Sequence, residues 1–239
     1  MKILAVECSA GPASAAIIED GKLLSNAFVN VKITHSQTLM PMVDCVLKAS
    51  GISIDDIDGF AVGAGPGSFT GIRIGISAVK GMAAVKNIPC APISTLRAMA
   101  ENYKEEDCIV CGVMDARCNQ VYNAFFDITN GKIRRICKDR AIMCDELAEE
   151  IKKISKNVKK SVIIVGDGSD LFYPYIENLE CTVKSDSHRR YQNAIGIALA
   201  SEEIFKSGNS VSQKDLLPVY LRLPQAEREL KKKTEGVTK

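Results

Sequence analysis

The feature of this sequence that most limits its fold is a pattern of strands and tight turns that occurs twice. In the first copy, short apolar-rich segments predict strands at residues 2–8, 13–19 and 23–29. An Asp20-Gly21 pair precedes the third strand, and an Asx-Gly pair is the strongest short-range signal of a β-hairpin. A predicted helix at residues 36–49 follows these three strands.

The middle of the chain repeats this order. Strands are predicted at residues 108–114, 121–128 and 133–136, with a second Asx-Gly turn at Asn130-Gly131. A helix at residues 145–155 again follows. Two copies of hairpin-linked strands with helical crossovers predict two similar α/β lobes that face each other.

The boundary between the lobes is predicted in the charged stretch at residues 102–107. This gives a first lobe at residues 1–102 and a second lobe at residues 103–226. A last helix at residues 192–207, which we allow to pack back on the first lobe, is followed by a short strand near residues 218–223. Residues 227–239 contain almost no apolar side chains and predict a disordered basic tail.

The bulk composition is typical of a protein with a hydrophobic core and argues against two functional classes. Apolar residues make up 46% of the chain and the net charge is only +2, so no strong field marks the whole surface for nucleic acid. No segment reaches the length of a membrane span, and Glu7 interrupts the first apolar run too early for a signal peptide. We therefore expect a cytoplasmic protein without membrane partners.

The nine cysteines are scattered through apolar segments and predict reduced, buried thiols. Cys108 and Cys111 match the C-x-x-C spacing of redox and zinc sites. Both lie within a predicted strand, where positions three apart point to opposite faces of the sheet. The pair is therefore interpreted as two core residues.

The segment from Gly63 to Gly75 contains a glycine-rich turn between an apolar strand and a helix predicted to begin at about Gly71. Such a turn can direct backbone N–H groups at an anion. The alternative is a tight turn that packs the helix closely on the sheet, with Ser68 or Thr70 as its cap. The segment has neither the Walker lysine nor dinucleotide spacing, so both interpretations stay open.

The helix after this turn carries apolar residues on two faces, although a helix on one sheet should show one stripe and a polar back. Gly71, Gly75 and Gly81 would let another helix approach closely. We expect a protein interface here, and the alternative is cover by other parts of the same chain. One stripe is Ile72, Ile76, Val79 and Ala83, and the other is Ile74, Ala78, Met82 and Val85.

The helix at residues 36–49 shows the same two-sided apolar pattern, with Met40 and Cys45 away from the main stripe. Two such helices in one lobe predict a shared partner surface. The residues predicted for it are His35, Leu39, Met42, Val43, Val46, Leu47, Arg73, Ile76, Val79, Lys80, Met82 and Ala83.

The two histidines give no support for a metal site. Thr34 and Gln37 fit a capping box around His35, and His188 lies alone in a polar stretch. Neither forms the paired spacing that zinc proteases use. No nucleophile and base are evident either, so we predict no catalytic residue and no bound metal.

Taken in order, these segments resemble the TsaB (YeaZ) family over nearly the whole chain. The Gly-Pro-Gly run at residues 65–67 is moderately specific by itself, whereas the ordered set is highly specific. The matching segments are residues 35–37, Leu39, Pro41, residues 65–71 and 73–75, residues 115–117 before Val121 and Tyr122, residues 166–168, and residues 220–222 with 226–227.

The resemblance implies two lobes of the actin-like ATPase fold (ASKHA, ribonuclease H-like), each with a mixed five-stranded sheet and flanking helices. It implies a non-catalytic scaffold subunit in the formation of threonylcarbamoyladenosine next to the anticodon of ANN-decoding tRNAs. In such a system the paralogue TsaD carries the metal-binding histidines and the chemistry, and the ATPase TsaE joins the pair. The chain is expected to form a homodimer when alone, to meet tRNA only through the complex and to need no cofactor, with ATP and magnesium belonging to the partner complex.

In actin-like ATPases the first hairpin turn holds phosphate and magnesium-bound water with an Asp followed by Gly. Here the acid is Glu7 and the glycine position is Ser9, which implies a degenerate nucleotide cleft. The alternative is an independent ASKHA-type ATPase or small-molecule kinase, and a third interpretation is RNA binding by the basic tail. The residues predicted for the cleft are Glu7, Ser9, Gly65, Gly67, Asp115, Arg117, Gly166 and Gly168.

Overall fold

A computed structural model describes residues 1–222. Residues 223–226 of the predicted second lobe and the predicted tail at 227–239 lie outside the described residues. Within residues 1–222 the chain forms two α/β units, each built on a mixed sheet, as predicted from the duplicated pattern.

The first sheet has five strands in the order β3-β2-β1-β4-β5. The hairpin strands pair antiparallel, whereas β1 and β4 are parallel, so helical crossovers must cover the faces of the sheet. The strands are β1 (Lys2–Glu7), β2 (Ala13–Glu19), β3 (Lys22–Val29), β4 (Gly59–Gly65) and β5 (Cys90–Ser94).

Two helices, α1 (His35–Ser50) and α2 (Phe69–Ala84), cover one face of this sheet. Helix α1 ends where Gly51 adopts a left-handed backbone (φ 68°) and its N–H bonds to the carbonyls of Leu47 and Lys48. The capping box predicted at the start of α1 is wrong, because the Thr34 side chain makes no capping hydrogen bond there.

The second sheet has the order β11-β10-β6-β7-β8, and a further strand, β9, also pairs with β7. Six strands rather than the predicted five result because β7 is long enough to pair with β9 along its first half and β8 along its second. The strands are β6 (Cys108–Asp115), β7 (Gln120–Thr129), β8 (Lys132–Arg135), β9 (Arg140–Met143), β10 (Val162–Val165) and β11 (Thr182–Lys184).

Five further α-helices complete the described layers. Helix α3 (Thr95–Glu101) buries Leu96 and Met99 on the second sheet, so it connects the two units. Helix α4 (Cys144–Asn157) covers the opposite face of that sheet. Helix α7 (Ala194–Lys206) follows the second sheet in the chain but packs on the first sheet. The short helices α5 (Ser169–Phe172) and α6 (Ser187–Arg190) lie between β10 and α7.

Cys108 and Cys111 both lie on β6 and are buried in separate core clusters on opposite faces of the second sheet. Burial raises the pKa of the Cys108 thiol to about 11, and it raises the pKa of Cys111 further. The interpretation of this C-x-x-C pair as two core residues is confirmed.

The strand predicted near residues 218–223 is not found in the part of that segment that the structure describes. Residues 218–220 instead have no regular structure and residues 221–222 form a bend, and the N–H of Val219 donates to the carbonyl of Ala64 at 2.8 Å. A single bond of this kind does not continue the first sheet.

Candidate functional site

A cleft of about 500 Å³ lies between the two sheets. Its first wall comes from the turn after β1 and the turn before α2, and its second from the ends of β6 and β10. The C-terminal segment lines it as well. The lining residues are Ser9, Ala10, Gly11, Gly67, Ser68, Phe69, Thr70, Met114, Asp115, Ala116, Arg117, Tyr122, Asp167, Val219, Tyr220, Leu221 and Arg222.

Glu7 ends β1 beneath this cleft and is almost completely buried. Its Oε1 accepts a hydrogen bond from the backbone N–H of Ser9, whereas its Oε2 is buried without a partner among the described residues. Burial raises the pKa of Glu7 to about 7, against the opposing hydrogen bonds from Ser9. The charge of Asp167 raises the pKa of Glu7 as well.

The glycine-rich turn is filled by close backbone contacts. A Cβ on Gly67 (φ +155°) would lie 2.2 Å from the carbonyl oxygen of Ser9, so only glycine fits there. The N–H of Ser68 donates to that same carbonyl at 2.6 Å. The Ser68 hydroxyl accepts from the N–H of Gly71 at 3.2 Å and caps α2. The close-packing interpretation, with Ser68 as the cap, is confirmed, and anion binding stays a prediction.

The predicted residues Asp115 and Arg117 contact each other in the second wall, and the contact joins the Asp115 side chain to the Arg117 backbone. The Asp115 carboxylate accepts from the N–H of Arg117 at 2.6 Å. Arg117, Cys118 and Asn119 all have left-handed backbones, with φ of 63°, 56° and 56°. Such a run is sterically unfavourable for residues other than glycine, so the turn after β6 is under local strain.

Gly166 and Gly168, at the end of β10, bring the second phosphate-type turn close to β6. A Cβ on Gly166 would lie 2.0 Å from the carbonyl of Val113, and one on Gly168 would lie 2.9 Å from the N–H of Asp115. Their described role is therefore to pack two strand ends together, much as Gly67 packs against the turn after β1 in the first lobe.

Asp167 is a cleft residue that was not among the predicted cleft residues, and Gln192 is its buried hydrogen-bond partner. Asp167 accepts from the Gln192 side-chain amide at 2.7 Å. Burial raises the pKa of Asp167 to about 6, and the nearby charge of Asp115 raises it too. Asp167 lies between Gly166 and Gly168, so the signal was in the motif itself, although only its glycines were considered.

The main apolar stripes of α1 and α2 face the sheet of their own lobe. These side chains are 6% exposed or less and belong to one core cluster. A core side chain cannot contact a partner, so the predicted surface is corrected at these positions. The corrected residues are Leu39, Met42, Val43, Val46, Ile76, Val79 and Ala83.

The glycines of α2 need the same correction. A Cβ on Gly71 would lie 2.0 Å from the carbonyl of Cys8, and one on Gly75 would lie 2.9 Å from the Cys8 sulfur. These two glycines therefore let α2 approach β1 of its own lobe. Gly81 has nothing within 4 Å of its added Cβ and remains open.

The second faces of α1 and α2 remain accessible. Met40 on α1 is 46% exposed, and Val85, which caps the end of α2, is 81% exposed. Met82 is half-buried and Arg73 is exposed. We call this surface the α1–α2 face, and it consists of Met40, Cys45, Leu47, Arg73, Ile74, Ala78, Lys80, Met82 and Val85.

His35, at the first position of α1, has a local structural contact. Its Nε2 lies 2.7 Å from the carbonyl oxygen of Ala10, in the turn after β1. Its Nδ1 is buried without a partner among the described residues. His35 therefore fixes the start of α1 to the turn that lines the cleft.

Residues 1–222 contain neither a cluster of metal ligands nor a helix suited to crossing a membrane. His, Cys, Asp and Glu side chains there form no group of three or more that could hold a metal ion. No helix among these residues combines the length and apolar character that crossing a bilayer requires.

Two mixed α/β lobes that face each other across a cleft define a protein of the actin-like ATPase (ASKHA) fold class. Component A of (R)-2-hydroxyglutaryl-CoA dehydratase from Acidaminococcus fermentans shares this fold, with a TM-score of 0.51 at 12% identity. The superposition covers 90% of this chain and 99% of that one.

The family follows from closer matches. The family model described as "TsaD: tRNA N6-adenosine threonylcarbamoyltransferase" matches residues 23–229. The tRNA threonylcarbamoyladenosine biosynthesis protein TsaB of Escherichia coli K12 is 30% identical over 93% of this chain and 95% of its own length. YeaZ from Pseudomonas aeruginosa superposes with a TM-score of 0.76 at 25% identity, covering 92% of this chain and 99% of that chain. The chain therefore belongs to the TsaB family of tRNA threonylcarbamoyladenosine biosynthesis proteins.

Proposed function

We propose that this chain is a non-catalytic subunit of the machinery that places threonylcarbamoyl on tRNA adenosine. In this proposal it binds and activates the catalytic paralogue TsaD, and the ATPase TsaE joins the pair. The match to a family model described as TsaD supports this relationship, because paralogues of one fold often pair through equivalent surfaces.

The observation that carries the proposal is the α1–α2 face. Met40 on α1 and Val85 at the end of α2 expose large apolar side chains, Met82 is half-buried, and the exposed Arg73 adds a charged group. Interface centres are enriched in Met and Arg, and this face carries both together with Lys80. A partner helix could also approach at Gly81, where no side chain blocks it.

The cleft supports a non-catalytic role. At the position where an actin-like ATPase would hold phosphate, the N–H of Ser68 is already bonded to the carbonyl of Ser9. The neighbouring acid, Glu7, is buried with a pKa of about 7 and is bonded to its own turn. The Ser68 N–H and Glu7 Oε1 are thus used within the loop, whereas Glu7 Oε2 has no partner among the described residues.

Four further expectations belong to the same proposal. The chain requires no cofactor of its own, and ATP and magnesium act in the partner complex. It meets tRNA only through that complex, in the cytoplasm. In the absence of TsaD, the α1–α2 face pairs with a second copy of the chain, because exposed apolar surface tends to self-associate.

The test is a binding measurement with TsaD from the same organism, using light scattering to determine the mass of each protein alone and of the mixture. We expect a one-to-one complex that replaces a homodimer. The variants Met40→Glu and Val85→Glu place a charge on exposed positions of the face, so they should weaken the complex at least tenfold without unfolding the lobe.

Ile136→Glu is the matched control, because Ile136 is 44% exposed on the second lobe, away from α1 and α2. Its affinity for TsaD should equal that of the unmodified chain. Unchanged binding for both face variants would contradict the assigned surface, and no complex at high concentration would contradict the proposal as a whole.

The size of the cleft favours a second candidate function, an independent ATPase or small-molecule kinase. A cleft of about 500 Å³ lined by Asp115, Arg117 and Asp167 has room for a nucleotide. Fold alone is weak support for activity. The test is ATP turnover by the purified chain, which this alternative predicts to be measurable and to be lost on Glu7→Ala or Asp115→Asn.

A further inference from the structure

The last described residues of the chain pass across the mouth of the cleft. Leu216 is fully buried in the core of the first lobe and fixes the base of this segment. Beyond it the chain is accessible, with Leu217 64% exposed and Val219 48% exposed. Residues 219–222 line the cleft. We call residues 216–222 the C-terminal strap.

One end of the strap contacts the first lobe. The Tyr220 ring stacks on Phe69 with 4.4 Å between centroids, and its hydroxyl accepts from Arg73 Nε at 2.8 Å. The Arg73 guanidinium also lies over the Phe69 ring, 3.9 Å from its centroid. The N–H of Val219 donates to the carbonyl of Ala64 at 2.8 Å.

The glycine at position 65 makes this docking possible. A Cβ on Gly65 (φ +123°) would lie 2.3 Å from the carbonyl oxygen of Val219. The strap therefore lies directly on the backbone of the glycine-rich turn, which is closer than any other residue type would allow.

Within the described residues, the other end of the strap contacts the second lobe through the Arg222 side chain. The Arg222 guanidinium donates to the carbonyls of Ala116 and Arg117, in the strained turn after β6. Hydrogen bonds from a charged donor are stronger than neutral ones, so this single residue can hold the strap against the second lobe.

We infer that the strap clasps the two lobes together across the cleft, and that the cleft opens when Arg222 releases the second lobe. The first-lobe end has a buried anchor, a ring stack and a backbone bond, whereas within residues 1–222 the second-lobe end is held by one half-buried side chain. Release therefore begins at Arg222. Access to the cleft is then controlled by the chain itself, whichever partner or ligand the cleft meets.

Hydrogen exchange of the full chain, followed by mass spectrometry, tests this clasp. In a clasp, loss of either end loosens both. Arg222→Ala should therefore speed exchange of the Val219 amide, which is bonded to the first lobe. Tyr220→Ala should speed exchange of the turn at residues 116–120 in the second lobe. We expect each rate to rise about tenfold or more, because a lost charge-assisted bond raises the open population.

The matched controls are Arg134→Ala and Tyr175→Ala, which remove the same side-chain types from exposed positions of the second lobe. Neither should change exchange at Val219 or at residues 116–120. If each strap variant speeds only its own end, or neither end, the strap is not a clasp and the inference fails.

A second measurement uses the absence of tryptophan from the sequence. Tyr220→Trp introduces a single tryptophan at the stacked position. Adding Arg222→Ala should increase acrylamide quenching of this tryptophan at least twofold, whereas adding Arg134→Ala should leave quenching unchanged. Equal quenching in the two double variants would overturn the inference even if a variant altered stability.

Discussion

The Glu7 carboxylate occupies the space in which Gly63 would carry a side chain. A Cβ on Gly63 would lie 2.0 Å from Glu7 Oε2. The two residues lie on the neighbouring parallel strands β1 and β4. The glycine therefore makes the burial of the acid possible, and that burial raises the pKa of Glu7 to about 7.

This burial predicts a pH-dependent stability. The folded-state pKa of Glu7 is raised above its unfolded value, so its stabilising contribution is complete below about pH 4.5 and is lost as the pH rises through about 7. Glu7→Gln carries no charge at any pH, so the variant should be more stable than the unmodified chain at pH 8, by on the order of 3 kcal/mol, with little difference at pH 4.5.

Urea unfolding of both proteins at pH 4.5 and pH 8 measures this effect. Glu180→Gln is the control, because Glu180 is exposed on the second lobe. A Glu7→Gln variant that is equally destabilised at both pH values would contradict the assigned protonation.

Two glycine substitutions should have opposite effects on stability, because Gly67 lies against Ser9 whereas Gly81 is open. Gly67→Ala forces a Cβ to within 2.2 Å of a carbonyl at φ +155° and should lower the free energy of unfolding by about 3 kcal/mol or more. Gly81→Ala, in an open helical position, should raise it by about 0.5–1 kcal/mol. Denaturant unfolding of the two variants checks both signs, and a neutral Gly67→Ala would show that the turn has room to move.

Neighbouring residues of α1 should separate the core from the α1–α2 face. Leu39 is 1% exposed and Met40 is 46% exposed. Leu39→Ala should cost about 2–5 kcal/mol of stability, whereas Met40→Ala should stay within about 0.5 kcal/mol. Thermal unfolding of the two single variants tests this, and similar costs would mean that the two faces of α1 are assigned wrongly.

Thiol accessibility should follow burial. Cys45 and Cys118 are exposed, whereas Cys8 and Cys111 are buried, and burial raises the pKa of both of these buried thiols. Under native conditions we expect iodoacetamide to modify the exposed pair first and the buried pair only after unfolding. Peptide mapping by mass spectrometry identifies the order, and early modification of Cys8 or Cys111 would contradict their placement in the core.

The duplicated fold could be predicted because its signals are local. Asx-Gly turns and short apolar-rich segments correctly located β1, β2, β3, β6, β7 and β8. Strand β9 was missed because it has only four residues and no pattern that separates it from a loop. The strand predicted near residue 218 was wrong because the apolar residues there contact the first lobe without a strand ladder, with Leu216 in its core and Tyr220 stacked on Phe69.

The candidate site was less predictable for a related reason. Periodicity identified two apolar stripes on α2 but could not tell which one faces its own sheet. The distinction depends on Gly71 and Gly75, which rotate the helix onto β1 through contacts with Cys8. Likewise, the charge state of Glu7 depends on packing around Gly63, which lies far away in sequence.

We propose that the chain acts through the α1–α2 face and not through chemistry in the cleft. This proposal is tested most directly by the threonylcarbamoyladenosine content of tRNA in cells whose own copy of the gene is replaced by variants. The double variant Asp115→Asn with Asp167→Asn should retain the modification, and Met40→Glu with Val85→Glu should lose it. Loss with the cleft variant and retention with the face variant, at equal protein levels, would contradict the account.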